Sequence, residues 1–161
     1  EQITPTDPAS ARAVTEIEKF YKATGLRDIR HEQIVVNTEI GCAGTIDCSG
    51  LMVTNNLVIV DYKTIVLAKY RKPYDKWLYQ LGGYELLLSG GRYVCITDVW
   101  YSIVIDRFSG EIKVEQWTKE DMKRGIEGFG CLLEFWKVDK GYRPEEWVKG
   151  EKDEKDEPRE V

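Results

Sequence analysis

The chain has 161 residues, 42% of them hydrophobic, and a formal net charge of -5. That size and balance suit one globular domain and exclude collagen-like, coiled-coil and wholly disordered chains. The acidic total argues against a protein that coats DNA by charge alone, though not against an enzyme that meets DNA at one local site.

Pro8-Ala9-Ser10 opens the first predicted helix, with Ser10 as candidate N-cap. Val14, Ile17, Phe20 and Tyr21 then recur at helical spacing until Gly25 stops the run. From Glu32 the pattern turns to strand: Ile34-Val35-Val36 is β-rich, and Ile40 to Cys48 continues it, with turns expected at Gly50 and Asn55-Asn56. Leu57-Val58-Ile59-Val60 is a continuous apolar run, mostly β-branched, as in a strand buried on both faces. After Pro73 a second helix is expected to residue 88, its stripe formed by Trp77, Leu78, Leu81, Tyr84, Leu87 and Leu88, although Gly82 and Gly83 count against helix propensity. Tyr93 to Ile105 and Ile112 to Trp117 read as strands separated by the turn Phe108-Ser109-Gly110. Thr118 caps a last helix that should end near Trp136 or Lys137, with Met122, Ile126, Phe129, Leu132, Leu133 and Trp136 on one face. The order of elements predicts a mixed α/β layer structure over residues 1–148, followed by a charged, solvated tail over 149–161.

No apolar run is long enough to cross a bilayer, so no membrane partner is expected. Glu1-Gln2-Ile3-Thr4-Pro5 has neither the basic nor the apolar part of a secretory signal, which points to a cytoplasmic, intracellular location. Cys42, Cys48, Cys95 and Cys131 form no CxxC pair, and His31 is the single histidine. Buried or half-buried thiols therefore fit better than a zinc site.

Three features coincide around the apolar run. Asp47 ends a β signal at Gly44-Thr45-Ile46-Asp47, and Asp61-x-Lys63 follows Val60. Residues i and i+2 of a strand share a face, so Asp61 and Lys63 project together. Gln80 and Tyr84, at i and i+4, share a face of the next helix. Two carboxylates converging from separate strands suit Mg²⁺ or Mn²⁺, which offsets phosphodiester charge and acidifies bound water. A lysine beside them can orient water or stabilise transition-state charge. Alone, Asp61 and Lys63 would read as an ion pair at a strand end, and Asp47 as a turn residue. The conjunction with Gln80 and Tyr84 favours the functional reading.

Gly44-Thr45-Ile46-Asp47, Val60-Asp61-Tyr62-Lys63-Thr64 and Trp77-x-x-Gln80-x-x-x-Tyr84 together resemble the RecB-like branch of the PD-(D/E)XK nucleases, which includes many small phage and viral exonucleases. The likeness runs from about Glu32 to Trp136. It implies a restriction-endonuclease-like core, a central mixed β-sheet flanked by helices. It also implies that Asp47, Asp61 and the backbone carbonyl of Tyr62 bind metal and that Lys63 is catalytic. Thr64 continues the family's DyKT pattern beside the substrate, and Gln80 and Tyr84 match a DNA-contacting, site-supporting pair. Glu32 matches a carboxylate at the first strand with a metal or supporting role, weighed equally against a plain surface residue. Many relatives carry a metal-binding His on an upstream helix. His31 reads better as a local surface residue and Glu18 as a solvated helix-face residue, and one place for such a helix is before Glu1. The cysteine clustering of relatives with iron–sulfur centres is missing, so no iron–sulfur cluster is expected.

Lys69, Arg71 and Lys72 follow the proposed site directly and suit sequence-independent phosphate contacts. Tyr70, Tyr74, Trp77 and Tyr79 are interleaved with the basic residues as candidate stacking platforms, with Trp77 read as core. The leading expectation is a metal-dependent exonuclease acting on DNA ends or single strands in recombination, repair or replication. Partners from those processes, or homo-oligomerisation, would be compatible with it. A non-catalytic nucleic-acid-binding module of the same fold and a structure-specific endonuclease are the alternatives.

Overall fold

The computed structural model describes residues 7–143. The expected boundary at residue 148 and the charged tail lie outside the described residues.

Helix α1 spans Pro8–Thr24. Asp7, not Ser10, is its N-cap: the Asp7 carboxylate accepts the Ser10 N–H at 2.9 Å. Pro8 then stands at the first helical position, where a missing N–H does no harm. Gly25, at φ 64, ends the helix in the left-handed region.

Five strands follow in one sheet, ordered β1 (Arg27–Asn37), β2 (Cys42–Leu51), β3 (Leu57–Ile65), β4 (Val99–Asp106) and β5 (Ile112–Trp117). All neighbours pair antiparallel except β3 and β4, which are parallel. Helix α2 (Asp75–Leu88) makes the crossover that a parallel pair requires. Helix α3 (Lys119–Lys140) closes the fold.

The two faces of β3 sort the core. Ile59 packs with Ile46 of β2, Leu78, Leu81 and Tyr84 of α2, and Met122 of α3. Val58 and Val60, on the other face, pack with Cys48, Ile17, Phe20 and Tyr21, the last three from α1. The apolar run is therefore buried on both sides, as its composition implies.

Several boundaries differ from the sequence reading. Strand β1 begins at Arg27, before Glu32. Gly50 lies inside β2, where the carbonyl of Arg27 would stand 2.9 Å from any Cβ, and the turn falls later. Of the stretch Tyr93 to Ile105, only the part from Val99 is strand. The buried carboxylate of Glu85 takes the N–H groups of Ile96 (2.6 Å) and Thr97 (3.2 Å), which removes them from any ladder.

Helix α3 starts with a capping box between Thr118 and Asp121 and continues to Lys140, past the expected end. Its apolar stripe divides. Met122 and Ile126 are buried, whereas Leu132 and Trp136 are exposed. All four cysteines are free thiols, and Cys131 is exposed rather than buried or half-buried.

The glycines of α2 earn their place in the packing. A Cβ on Gly82 would stand 2.1 Å from the carbonyl carbon of Gly125, and one on Gly83 would stand 2.8 Å from the Phe129 ring. The absent side chains let α2 and α3 approach backbone to backbone.

Candidate active site

Strands β2 and β3 pair only from Cys48↔Val60 to Leu51↔Leu57. Beyond that rung β2 stays with β1 and β3 stays with β4, so the sheet forks. Asp47 and Asp61 are the first residues past the last rung, one on each prong. The sequence spacing of these two acids therefore has a backbone cause.

At the base of the fork, the Tyr62 N–H donates to Asp47 Oδ2 at 2.9 Å. In an extended strand a residue's N–H and C=O point to the same edge. The Tyr62 carbonyl therefore also faces the opening. Its side chain points away, to the α1 face, where the hydroxyl bonds that of Tyr21.

Asp61 and Lys63 share the α2 face of β3. Lys63 Nζ donates to Asp61 Oδ1 at 2.6 Å and to Gln80 Oε1 at 2.8 Å. Gln80 Nε2 in turn donates to the Tyr84 hydroxyl at 2.7 Å. Gln80 and Tyr84 thus form one chain of hydrogen bonds with the lysine, and the helical i, i+4 spacing makes it.

Asp61 is fully buried, and its Oδ2 has no hydrogen-bond partner. An orphaned carboxylate oxygen in the interior is unfavourable unless something binds it. Burial pushes the Asp61 carboxyl up to about 6, against the opposing pull of Lys63, and the neighbouring Asp47 charge adds to the rise. Burial likewise pushes the Tyr84 hydroxyl up to about 12, with Asp47, Asp61 and Glu32 contributing negative charge around it.

The donor set fits a hard divalent cation. Asp47, Asp61 and the Tyr62 carbonyl supply oxygen, the ligand type Mg²⁺ and Mn²⁺ prefer. Among the described residues, no three or more His, Cys, Asp or Glu side chains form a metal-holding group. Mg²⁺ sites commonly use one or two carboxylates, with waters and phosphate completing the shell.

The remaining candidates fall in three places. Glu32 lies opposite Asp47 on β1, between the rungs His31↔Cys48 and Gln33↔Ile46, and adopts a left-handed φ of 49. It is exposed, yet its charge reaches the Tyr84 hydroxyl. Thr64 is exposed on the α1 face, beside Ala13 and Ile17, and so stands apart from the lysine it follows. Lys69, Arg71 and Lys72 are exposed on the connection from β3 to α2; Arg71 donates locally to the Ala68 carbonyl at 3.1 Å. None of the three contacts the acids or Lys63.

Two of the aromatic candidates pack inward. Tyr70 is buried against Trp77 with ring centroids 5.8 Å apart, and its hydroxyl donates to Glu115. Tyr74 is half exposed, with Lys76 over its ring, and Tyr79 lies against Gly128. His31 is exposed on β1, and Glu18 is exposed on α1, across the sheet from the acids.

Sequence reasoning missed two anchoring carboxylates. Glu85 is fully buried and also accepts the Trp100 indole N–H at 2.7 Å. Asp106 accepts the N–H groups of Leu67, Phe108 and Ser109 at 2.7, 2.9 and 2.8 Å. It ties the exit of β3 to the β4–β5 turn. No local pattern marks Glu85, whose donors are distant in the chain. Asp106 precedes the turn Phe108-Ser109-Gly110, and a turn-opening aspartate is the signal that could have found it, though not its bond to distant Leu67.

No protein-family model and no curated protein matches the chain. Among solved structures, a candidate exonuclease from Eubacterium rectale matches with a TM-score of 0.54 and 11% identity, over 84% of this chain and 54% of that one. The structure of SSO0001 matches at 0.39 and 15% identity, over 73% of this chain and 56% of that one, too low to establish a common fold. This chain therefore spans about half the length of the structures it is similar to. The first likeness shows an α/β fold, a five-stranded mixed sheet flanked by helices, consistent with a restriction-endonuclease-like core. Among the described residues, no helix is long and apolar enough to cross a membrane.

Proposed function

We propose that the chain is a metal-dependent deoxyribonuclease of the PD-(D/E)XK type that hydrolyses phosphodiester bonds at DNA ends or in single strands. One observation carries the reading: Asp61 is buried with one carboxylate oxygen unpartnered and the other held at 2.6 Å by Lys63. A structural ion pair has no need of the orphaned oxygen, and a buried one is weak evidence for stability in any case. A cation-binding carboxylate does need it. The nuclease-like fold gives independent support at the level of architecture.

Asp47, Asp61 and the Tyr62 carbonyl would hold Mg²⁺ or Mn²⁺. Such an ion neutralises phosphate charge and acidifies a bound water. The residues of the chain do the rest. Asp61 and Gln80 take two of the three donors of Lys63, leaving one N–H for the attacking water or a phosphate oxygen. Gln80 and Tyr84 hold the ammonium group in that aim, so the lysine is positioned before substrate arrives. In hydrolysis a bond forms from water oxygen to phosphorus as the bond to the leaving oxygen breaks, and Lys63 offsets the charge that builds on the phosphoryl oxygens.

The test is degradation of end-labelled single- and double-stranded DNA in Mg²⁺, Mn²⁺ or EDTA, with Lys63→Ala and a closed circular substrate in parallel. Metal-dependent cleavage that disappears in Lys63→Ala supports the site, and a resistant circle marks an exonuclease. Inert parent protein that still binds DNA would replace the enzyme with a binding module.

A further inference from the structure

A groove of about 350 Å³ opens off the fork between β2 and α2. Asp47, Gln80 and Tyr84 of the candidate site line it, and Gly44, Thr45 and Phe129 are among its other walls. Its volume is at the low end of small-molecule sites, room for one nucleotide and far too little for a duplex.

The placement of Phe129 is specific. Its ring reaches the groove only because Gly83 has no side chain; three ring atoms lie about 3 Å or less from where a Cβ would be. The glycine contact between Gly82 and Gly125 sets the same helix–helix distance. The groove thus presents the half-buried Phe129 ring beside buried Tyr84 and Leu87, with few polar residues, Thr45, Gln80 and Asp47. An aromatic ring with sparse polar neighbours accepts any base by stacking and does not read base edges.

The depth of the site adds a second constraint. Asp61 is 0% exposed and the Lys63 side chain 16%. A phosphate that reaches them must leave the surface of a paired helix, and its own sugar and base then have to occupy the adjoining space. That space is the groove.

We infer that the groove holds the unpaired base of the nucleotide beside the scissile phosphate, with Phe129 as its stacking platform, so that the substrate at the site is a single strand or a frayed end. The inference rests on the nuclease reading above and adds Phe129 to it as a substrate-contacting residue.

Two measurements test it. In the first, end-labelled single-stranded oligonucleotides carry one abasic residue at a defined position. The parent protein and Phe129→Tyr should cleave the linkages flanking that residue about tenfold more slowly than elsewhere, the scale of one lost stack. Phe129→Leu, which keeps apolar volume against Gly83, should cleave all linkages slowly and without that discrimination. Active parent protein that cuts beside abasic and normal nucleotides equally overturns the inference and leaves the nuclease reading standing. In the second, done in EDTA, single-stranded DNA containing 2-aminopurine should lose fluorescence on binding the parent and Phe129→Tyr, but not Phe129→Leu. An inert parent that still quenches through Phe129 keeps the base site and removes the nuclease. An inert parent with no Phe129-dependent quench removes both.

Discussion

The main-chain N–H of Tyr62 donates to the Asp47 carboxylate at 2.9 Å, across the gap where β2 and β3 have ceased to pair. A side chain has taken the place of the next ladder partner. This one bond holds the fork at a fixed width and aims one Asp47 oxygen at β3, while the other takes no hydrogen bond among the described residues. Asp47 thus has a structural role beside the ligand role proposed for it, so its loss would disturb geometry as well as charge. Cleaner dissection comes from residues farther along the network.

Gln80 is the best such residue. It touches Lys63 and Tyr84 and belongs to a helix held by other contacts. Gln80→Leu keeps the helix and removes both bonds. Cleavage under single-turnover conditions should fall about 10- to 100-fold, the usual scale for a residue that orients a ligand-side group. Tyr84→Phe, which removes only the far end of the chain, should fall less. Equal rates for Gln80→Leu and the parent would show that Lys63 needs no positioning.

Metal linkage should be visible without any turnover. An ion that binds the folded site at one hundred times its dissociation constant stabilises the protein by about 2.7 kcal/mol. For a chain of this size that raises the melting temperature by roughly 5–10 °C. The parent should respond in this way to Mn²⁺ against EDTA, and Asp61→Asn should not. In EDTA at neutral pH, Asp61→Asn should be the more stable of the two by about 1–3 kcal/mol, because burial pushes the Asp61 carboxyl up to about 6 even with Lys63 beside it, so that ionised Asp61 is disfavoured in the folded state. Differential scanning calorimetry in both conditions checks both signs.

The pairing of the candidate residues was legible in the sequence because strand and helix geometry is local. Two residues apart on β3 means the same face, and four apart on α2 means the same side, so Asp61 with Lys63 and Gln80 with Tyr84 could be paired from spacing. The fork could not be read, since it depends on which strands stop pairing. Nor could the role of Gly82 and Gly83, which propensity counts as a weakness of α2 and the structure uses as the seat of α3. Thr64, one residue beyond Lys63, falls by alternation on the other face of the sheet, a placement the motif does not announce. The strand expected from Tyr93 failed for a similar reason, because β-rich composition carries no notice that Glu85 captures the amides.

The glycine seat has a direct consequence. In Gly82→Ala the new Cβ would meet the backbone of Gly125 and Ile126 at 2.1–2.4 Å, and backbone cannot rotate out of the way. The helices must separate, at about 1–3 kcal/mol or more. Because α2 carries Gln80 and Tyr84, cleavage should fall with stability. Gly128→Ala, whose added atom meets the Tyr79 ring instead of backbone, should cause the smaller change. Urea midpoints of the two variants give the comparison.

Asp106 predicts a pH dependence of the fold. Hydrogen bonds from the backbone of Leu67, Ser109 and Phe108 hold its carboxyl down at about 2, below the usual value of 3.8. A carboxylate with a depressed folded-state pKa contributes stability that is full above its unfolded value, and this is lost as pH falls through the folded one. The Asp106 contribution should therefore be intact at pH 5 to 7, begin to decline below about pH 4 and be gone below about pH 2. Asp106→Asn removes it at every pH, so the gap in urea midpoint between parent and variant should be widest at neutral pH and close on acidification across that window. A gap that stays constant from pH 7 to pH 2 would mean that the deficit of the variant does not come from the missing charge, and that the charge on Asp106 contributes nothing to joining β3 to the β4–β5 turn.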